Sequence, residues 1–319
     1  MKFIFLMDPI ESMDYKKDTT YVFIKEAILR GHEAYFCPKG GVSLIEGFVC
    51  FDVQLLAISN DAYEGQPLLK LLKPKFLKEN EVDAVFVRFD PPFDEDYLMI
   101  TWLLDQLPKD VFVMNSPDGI RTVNEKVWAS KFDDIIPRTC ITNNKEVFSR
   151  FLDQEKKIIL KPTNGYGGQA VFKVDIKDSN RNVIFETVSK NGSKQIMLQS
   201  YIEAARVGDK RVLLLDSEPI GSVLRVHGAD DHRNNFFSGG KPQKVDLTQK
   251  DLQIIQVLAR ELKSLGLYFV GIDIIGDYLI EVNVTSPTCV QEINRLNNTK
   301  LESQVIEFVE EQVNKLRYN

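Results

Sequence analysis

A chain of 319 residues, 44% hydrophobic and 27% charged, is too apolar for a disordered segment and long enough for two or three compact units. Its net charge of -6 argues against a nucleic-acid partner, so any positive charge that meets an anion must be local. Four cysteines (Cys37, Cys50, Cys140, Cys289) form no CxxC pair, and three scattered histidines (His32, His227, His232) supply neither a zinc cluster nor an obvious base.

The opening "KFIFLM" reads as a short strand, broken at Asp8 too early for a signal peptide or a membrane span, so a reducing cytoplasm is the default. A polar loop, "DPIESMDYKKD", leads to an amphipathic stretch over Thr19–Leu29, closed by Gly31, and "EAYFC" is a second strand. "DAVFVRF" is a continuous apolar strand, "DPPFDEDYLMITWLLDQL" enters a helix behind its prolines, "DVFVMNS" is a strand, and "PDGIRTVNEK" starts the next helix. Near-continuous apolar strands alternating with helices predict a parallel sheet covered on both faces, an α/β unit over residues 1–122.

From residue 123 the pattern becomes mixed α+β. "KKIILKPTNGYGGQAVFKVD" is strand, glycine loop, strand, an antiparallel signature; "QIMLQSYI", "DKRVLLLDSEPIGSVLRV" and "LYFVGIDIIGDYLIEVNV" add further β pairs. Helices are predicted over residues 248–265 and 301–315, and the polar segment 227–244 is long enough for a lid or a disordered insert. A division of the second half at residues 197/198 separates the glycine-rich loop from the later strands.

Three constellations carry chemistry. Lys161 stands at a strand end before Gly165, Gly167 and Gly168, where glycines let backbone N–H groups approach an anion and the lysine adds a point charge. No GK[ST] follows, so this is not a Walker loop, and a GxGG hairpin alone is also an ordinary turn. Glu281 and Asn283 lie two apart and share a strand face; hard oxygens of this kind suit Mg²⁺. Asp273 joins them only with the correct parity. A two-residue loop, Gly276-Asp277, would place Asp273 opposite Ile280, whereas a three-residue loop ending at Tyr278 pairs Asp273 with Glu281 and Gly271 with Asn283; the latter is expected. A salt-bridged polar face is the plain alternative. Arg211 and Arg225 lie in β runs and Arg233 in the polar loop, a set that fits clamps on phosphate or carboxylate better than three separate structural ion pairs.

In order and spacing, "MDPI", "KKD", "DPPFD", "NEK", "ILKP", "GYGG", "GDKRVLL", "GGK", "FVGIDIIG" and "EVNVTSPT" resemble the ATP-grasp carboxylate–amine ligases, and specifically the bacterial glutathione synthetases. The resemblance implies a pre-ATP-grasp N-terminal domain, then an ATP-grasp fold holding ATP between two antiparallel sheets. It puts Lys126 and Lys161 on the phosphates, Gly165, Gly167 and Gly168 over them, Gln199, Ser200, Tyr201 and Ile202 at adenine, and Asp209 at the ribose. It makes Asp273, Glu281 and Asn283 ligands of Mg²⁺, two ions with Mn²⁺ as a substitute, and Arg211 and Arg225 catalytic. Arg233, Asn235, Gly239, Gly240, Ser286 and Thr288 become substrate-binding, Gly239 and Gly240 in a loop covering the site. The segment at 227–244 departs from the family's lid in being more acidic at its start. Implied substrates are γ-glutamylcysteine, glycine and ATP, in a homo-oligomer, tetrameric by resemblance, with no nucleic acid and no membrane. Arg88 and Asp90, at the mouth of "VFVRFD", are candidates for the γ-glutamyl end, with a strand-end ion pair as the other reading; Cys289 reads as packed rather than reactive. Another ATP-grasp carboxylate–amine ligase shares every ATP and metal residue. A nucleotide-binding regulator without chemistry would show a gap in the metal or arginine set, and none is present.

Overall fold

In this computed structural model, which describes residues 1–63, 65–165, 167–227 and 239–318, the N-terminal apolar run is a central strand. β1 (Lys2–Leu6) leads through α1 (Thr19–Leu29) to β2 (Glu33–Cys37); Asp18 caps the helix by accepting the Tyr21 N–H at 2.8 Å. β3 (Val42–Ile45), β4 (Phe48–Tyr63) and β5 (Gln66–Lys78) follow, then β6 (Ala84–Val87), α2 (Glu95–Leu104), β7 (Phe112–Met114) and α3 (Pro117–Thr122). β2, β1, β6 and β7 run parallel, as expected. Successive side chains of β1 enter different cores: Phe3 and Phe5 join Phe23 of α1, while Ile4 and Leu6 join Ile100 and Leu104 of α2.

The sequence reading did not anticipate the antiparallel ribbon β3–β4–β5 that extends this sheet past β2. Its first turn is the pair Glu46-Gly47, with φ of 54° and 86°, the two left-handed residues that a tight hairpin favours.

The second half builds two antiparallel sheets. β8 (Thr139–Thr142), α4 (Lys145–Glu155), β9 (Lys157–Pro162), β10 (Phe172–Asp175), α5 (Arg181–Val188) and β11 (Ile196–Ser200) form one, in the order β10-β9-β11-β8. Alternation in β9 sends Ile158 and Leu160 into a small core with Phe148, Leu152 and Phe185, leaving Ile159 and Lys161 on the other face. The other sheet comprises β12 (Asp209–Leu215), β13 (Glu218–Val226), β14 (Lys241–Gln243), β15 (Phe269–Ile275) and β16 (Tyr278–Asn283), in the order β14-β13-β12-β15-β16. α6 (Gln249–Ser264) precedes β15; α7 (Val290–Asn297) and α8 (Leu301–Tyr318) close the chain. The Thr248 hydroxyl and the Asp251 carboxylate form a capping box at the start of α6.

One face of this second sheet is largely apolar: Val212, Leu214, Ile272 and Val282 pack with Ile254, Leu258 and Leu262 of α6, and Lys210 at one end of it pairs with Asp251 at the start of that helix. The other face changes along its length. Leu213, Leu215 and Phe269 lie under Val290 and Ile293 of α7, while the opposite end carries Asp209, Arg211, Asp273 and Glu281. Asn115, just past β7, ties the first sheet to this one. Its Nδ2 donates to Phe269 O and Val284 O, each at 2.8 Å, and its Oδ1 accepts the Phe269 N–H at 2.8 Å. A buried amide with every polar atom engaged fixes the strand that carries Asp273 against the N-terminal unit.

Candidate active site

Asp273 sits directly across from Glu281, and Gly271 across from Asn283, the expected register. The loop that produces it differs from the expected one. Ile275 pairs with Tyr278, so the turn is the two-residue Gly276-Asp277, with Gly276 at φ 56°, and parity is restored by a bulge that leaves Ile280 without a partner. A bulge adds one residue to one strand only, and so does the work expected of a third loop residue.

Across three strands Arg211, Asp273 and Glu281 form a row, since Arg211 pairs in register with Asp273. Arg211 forks onto Asp273, Nη2 to Oδ2 at 2.9 Å and Nε to Oδ1. Arg225 forks onto Asp209, with both bonds at 2.7 Å, and its Nη2 also reaches Asp273 Oδ2 at 2.9 Å. Arg211, Arg225 and Asp273 are each at most 6% exposed. Burial alone would raise the Asp273 pKa, but the two guanidiniums hold it well below the ordinary carboxylate range.

Lys126 donates to Glu281 Oε1 at 2.8 Å and to Gly165 O. Burial works against its charge, yet Glu281 keeps its pKa above the ordinary value. Lys161 differs: it is 4% exposed and forms no ion pair or side-chain hydrogen bond among the described residues. Burial pushes its ammonium down to about 8, with Glu281 opposing and Lys126 assisting. A buried ammonium without a partner is costly in water-free surroundings and is what an anionic ligand would relieve. Gly167 and Gly168 follow at φ 62° and 73°, and at Gly165 a Cβ would come within 2.8 Å of Pro162.

These groups enclose a cavity of about 360 Å³ between the two antiparallel sheets. Lys126, Lys161, Gly165, Gly167, Gly168, Gln199, Ser200, Tyr201, Ile202, Asp209, Arg211, Arg225, Asp273, Glu281, Asn283, Ser286 and Thr288 all line it. In β11, Gln199 Nε2 donates to Thr139 Oγ1 at 3.0 Å and Ser200 Oγ donates to Glu155 at 2.6 Å. Gly239 and Gly240 stand outside the cavity wall, and Arg233 and Asn235 lie outside the described residues. Asn283 donates Nδ2 to Gly271 O at 3.1 Å, which turns its amide oxygen the other way. Among the described residues no three His, Cys, Asp or Glu side chains gather as a preformed cage. Two carboxylates and an amide on facing strands instead suit a hard divalent cation that takes its other ligands from phosphate and water.

Glu125 was missed by the sequence reading, although it is the middle residue of "NEK". Its carboxylate accepts from Thr285 Oγ1 at 2.9 Å and Val284 N at 3.2 Å, and its carbonyl accepts from Val282 N at 2.9 Å. It therefore pins the outgoing end of β16, next to Lys126 and Asn283. The signal available was a carboxylate flanking a site lysine; nothing local said that it would be buried.

Two antiparallel sheets that enclose basic, glycine-rich and carboxylate groups define an ATP-grasp ligase. Solved structures agree on the fold: D-cycloserine synthetase DcsG superposes with a TM-score of 0.65 at 12% identity over 98% of this chain and 99% of that one. The ATP-grasp ligase PsnB, complexed with minimal precursor, superposes with a TM-score of 0.63 at 17% identity over 97% and 98%. The family is narrower. Models described as prokaryotic glutathione synthetase, N-terminal domain and ATP-grasp domain match residues 1–121 and 125–298. A glutathione synthetase of Thermosynechococcus vestitus is 39% identical over 97% of this chain and 99% of its own length, and that of Escherichia coli K12 is 37% identical over 90% and 91%. The chain belongs to the prokaryotic glutathione synthetase family.

Proposed function

We propose that this chain joins γ-glutamylcysteine to glycine, converting ATP to ADP and phosphate through an acyl phosphate and giving glutathione. The observation that carries this reading is the row Arg211–Asp273–Glu281, bridged to Asp209 by Arg225, within electrostatic reach of the Lys161 ammonium, which has no partner among the described residues. Lys126, Lys161 and the loop of Gly165, Gly167 and Gly168 hold the phosphates; Gln199 to Ile202 hold adenine, and Asp209 the ribose. Asp273, Glu281 and Asn283 hold the divalent cation, Mg²⁺ with Mn²⁺ as a substitute and two ions in the full site. Bound there, the cation would neutralise phosphate charge.

The cysteinyl carboxylate attacks the γ-phosphorus, ADP leaves, and the glycine amine then attacks the acyl carbon and expels phosphate. Arg211 and Arg225 offset charge gathering on the transferred group, which is positional and electrostatic catalysis rather than covalent chemistry on the protein. Ser286 and Thr288 receive the amine. Arg233, Asn235, Gly239 and Gly240 are assigned to substrate and its cover by family pattern alone. Exclusion of water matters because an exposed acyl phosphate hydrolyses.

The Lys161 ammonium gives this reading a pH signature. Phosphate favours the charged lysine, so ATP affinity is expected to be flat below about pH 8 and to weaken by up to about tenfold per pH unit above it. Titration calorimetry with the non-hydrolysed ATP analogue from about pH 7 to about pH 9.5 checks this. Lys161→Met should bind weakly and lose the slope; a parent protein without the slope contradicts the assignment.

A domain division at residues 122/123, with a further division at 197/198, a cytoplasmic location and a homotetramer belong to the same proposal. Among the described residues no helix is long and apolar enough to cross a membrane. Half-exposed Ile45, Phe48, Leu72 and Phe76 on the β3–β4–β5 ribbon support association between copies. The reaction itself is tested by offering the purified protein γ-glutamylcysteine, ATP and a panel of amines while following phosphate. Phosphate release should require glycine and equal the glutathione formed; release with another amine but not glycine points to a different ATP-grasp ligase.

A further inference from the structure

The chain leaves α3 at Thr122 and crosses to the second half through Asn124, Glu125 and Lys126, the "NEK" of the sequence. Asn124 Oδ1 accepts the N–H groups of Lys126 and Val127 at 3.1 and 2.9 Å, which turns the backbone. Its Nδ2 donates to Thr163 O at 3.3 Å, just before the glycine loop. Lys126 Nζ reaches Gly165 O inside that loop and Glu281 Oε1 on β16. The outer two residues of the motif therefore tie the connector to the phosphate loop and to the metal strand. Glu125, between them, has no part in the mechanism above.

β16 is the last strand of its sheet, so one of its edges has no strand beside it. The N–H groups on that edge need acceptors all the same. Ile135 O takes Leu279 N at 2.7 Å. Glu125 takes two more: its carbonyl accepts Val282 N at 2.9 Å, and its Oε1 accepts Val284 N at 3.2 Å. The same Oε1 accepts Thr285 Oγ1 at 2.9 Å. Asn283 lies between those two valines. On its other side it pairs with Gly271, whose carbonyl accepts its Nδ2 at 3.1 Å. Asn283 is thus held from both edges of its strand, while Lys126, the next residue of the connector, holds Glu281. One dipeptide sets two of the three ligand candidates.

We propose that Glu125 is a positioning residue for the divalent cation, fixing the strand that presents Asn283 and Glu281 and so setting the affinity of the site for metal. Its carboxylate acts through the hydrogen bonds it accepts, not as a further ligand. Partners that orient metal ligands govern affinity in this way, because a ligand already in place loses no freedom when the ion arrives. The inference rests on the ligand assignment above.

The test reads metal binding without turnover. Mn²⁺ is titrated into the protein saturated with a non-hydrolysed ATP analogue, and the free ion is followed by its EPR signal against a blank of analogue alone. Glu125→Ala should weaken Mn²⁺ binding by about 10- to 100-fold. Glu125→Gln keeps an oxygen for Val284 N and Thr285 Oγ1, and should stay within about threefold of the parent. A carboxylate acting by its charge, or as a ligand itself, would make Gln as damaging as Ala, and that result overturns the proposal. Parental Mn²⁺ affinity in a folded Glu125→Ala protein overturns it too. If Glu125→Ala does not fold, Thr285→Val carries the test, since it removes only the hydroxyl that donates to Glu125. It should weaken Mn²⁺ by about three- to tenfold, and parental affinity there counts against the brace. A parent protein that binds no Mn²⁺ beyond the blank overturns the ligand assignment instead, so the two failures are distinct.

Discussion

Arg225→Ala is expected to lower turnover by on the order of a hundredfold or more. Arg225 is buried, forks onto Asp209 and also reaches Asp273, so its charge is fixed before any substrate arrives. Its pKa lies well above the ordinary arginine value despite burial, because Asp209 and Asp273 hold the proton, so it stays charged at every working pH. A preorganised cation of this kind costs no rearrangement when charge moves onto the transferring phosphoryl group. The substitution also strips two buried carboxylates of a partner, which costs about 3–5 kcal/mol of stability. The two effects separate by measurement. Single-turnover phosphate release, well below the lowered melting temperature, reports chemistry, and the urea midpoint reports the fold. Arg225→Ala combined with Asp209→Asn should recover part of the stability and none of the rate. Near-parental turnover in a folded Arg225→Ala variant removes Arg225 from the mechanism.

Glu281→Gln should be comparably damaging, lowering kcat/KM by at least on the order of a hundredfold at moderate Mg²⁺. Gln preserves the volume and the strand, but it deprives the cation of a carboxylate and Lys126 of its ion pair at 2.8 Å. Loss of a ligand weakens metal affinity, so part of the activity should return as Mg²⁺ is raised, which loss of a purely structural charge would not produce. Asp277→Asn, at the exposed turn of the same hairpin, is the control and should change nothing. Unchanged metal dependence in Glu281→Gln would take Glu281 out of the ligand set.

The sequence resolved the elements that follow simple periodic rules. α1 falls on Thr19–Leu29 as read, because an acidic cap, an amphipathic run and a terminal glycine all act locally. Part of the candidate site was legible for a different reason: Asp273, Glu281, Asn283, Arg211 and Arg225 are polar groups inside apolar strands, costly unless something binds them, and they line one cavity with Lys161 and its glycine loop. Lys126, Gln199 to Ile202, Asp209, Ser286 and Thr288 in the same wall were named by family resemblance alone. What failed depended on geometry that no residue type announces. Ile280 reads as an ordinary apolar strand residue, yet it is the bulge that gives Asp273 its parity. Glu125 and Asn115 take their meaning from partners 160 and 154 residues away, a distance at which local pattern carries no signal. The ribbon over β3–β5 went unread although Glu46-Gly47 is a hairpin turn signal, since β4 is apolar without clean alternation and β5 is interrupted by lysines and prolines.

The acyl phosphate is the step on which the whole mechanism turns, and isotope transfer tests it directly. γ-Glutamylcysteine carrying ¹⁸O in both oxygens of its cysteinyl carboxylate is turned over with ATP, Mg²⁺ and glycine, and the released phosphate is analysed by mass. One ¹⁸O per phosphate, with one retained in the new amide, is the expected result. Phosphate free of ¹⁸O while glutathione accumulates would contradict it.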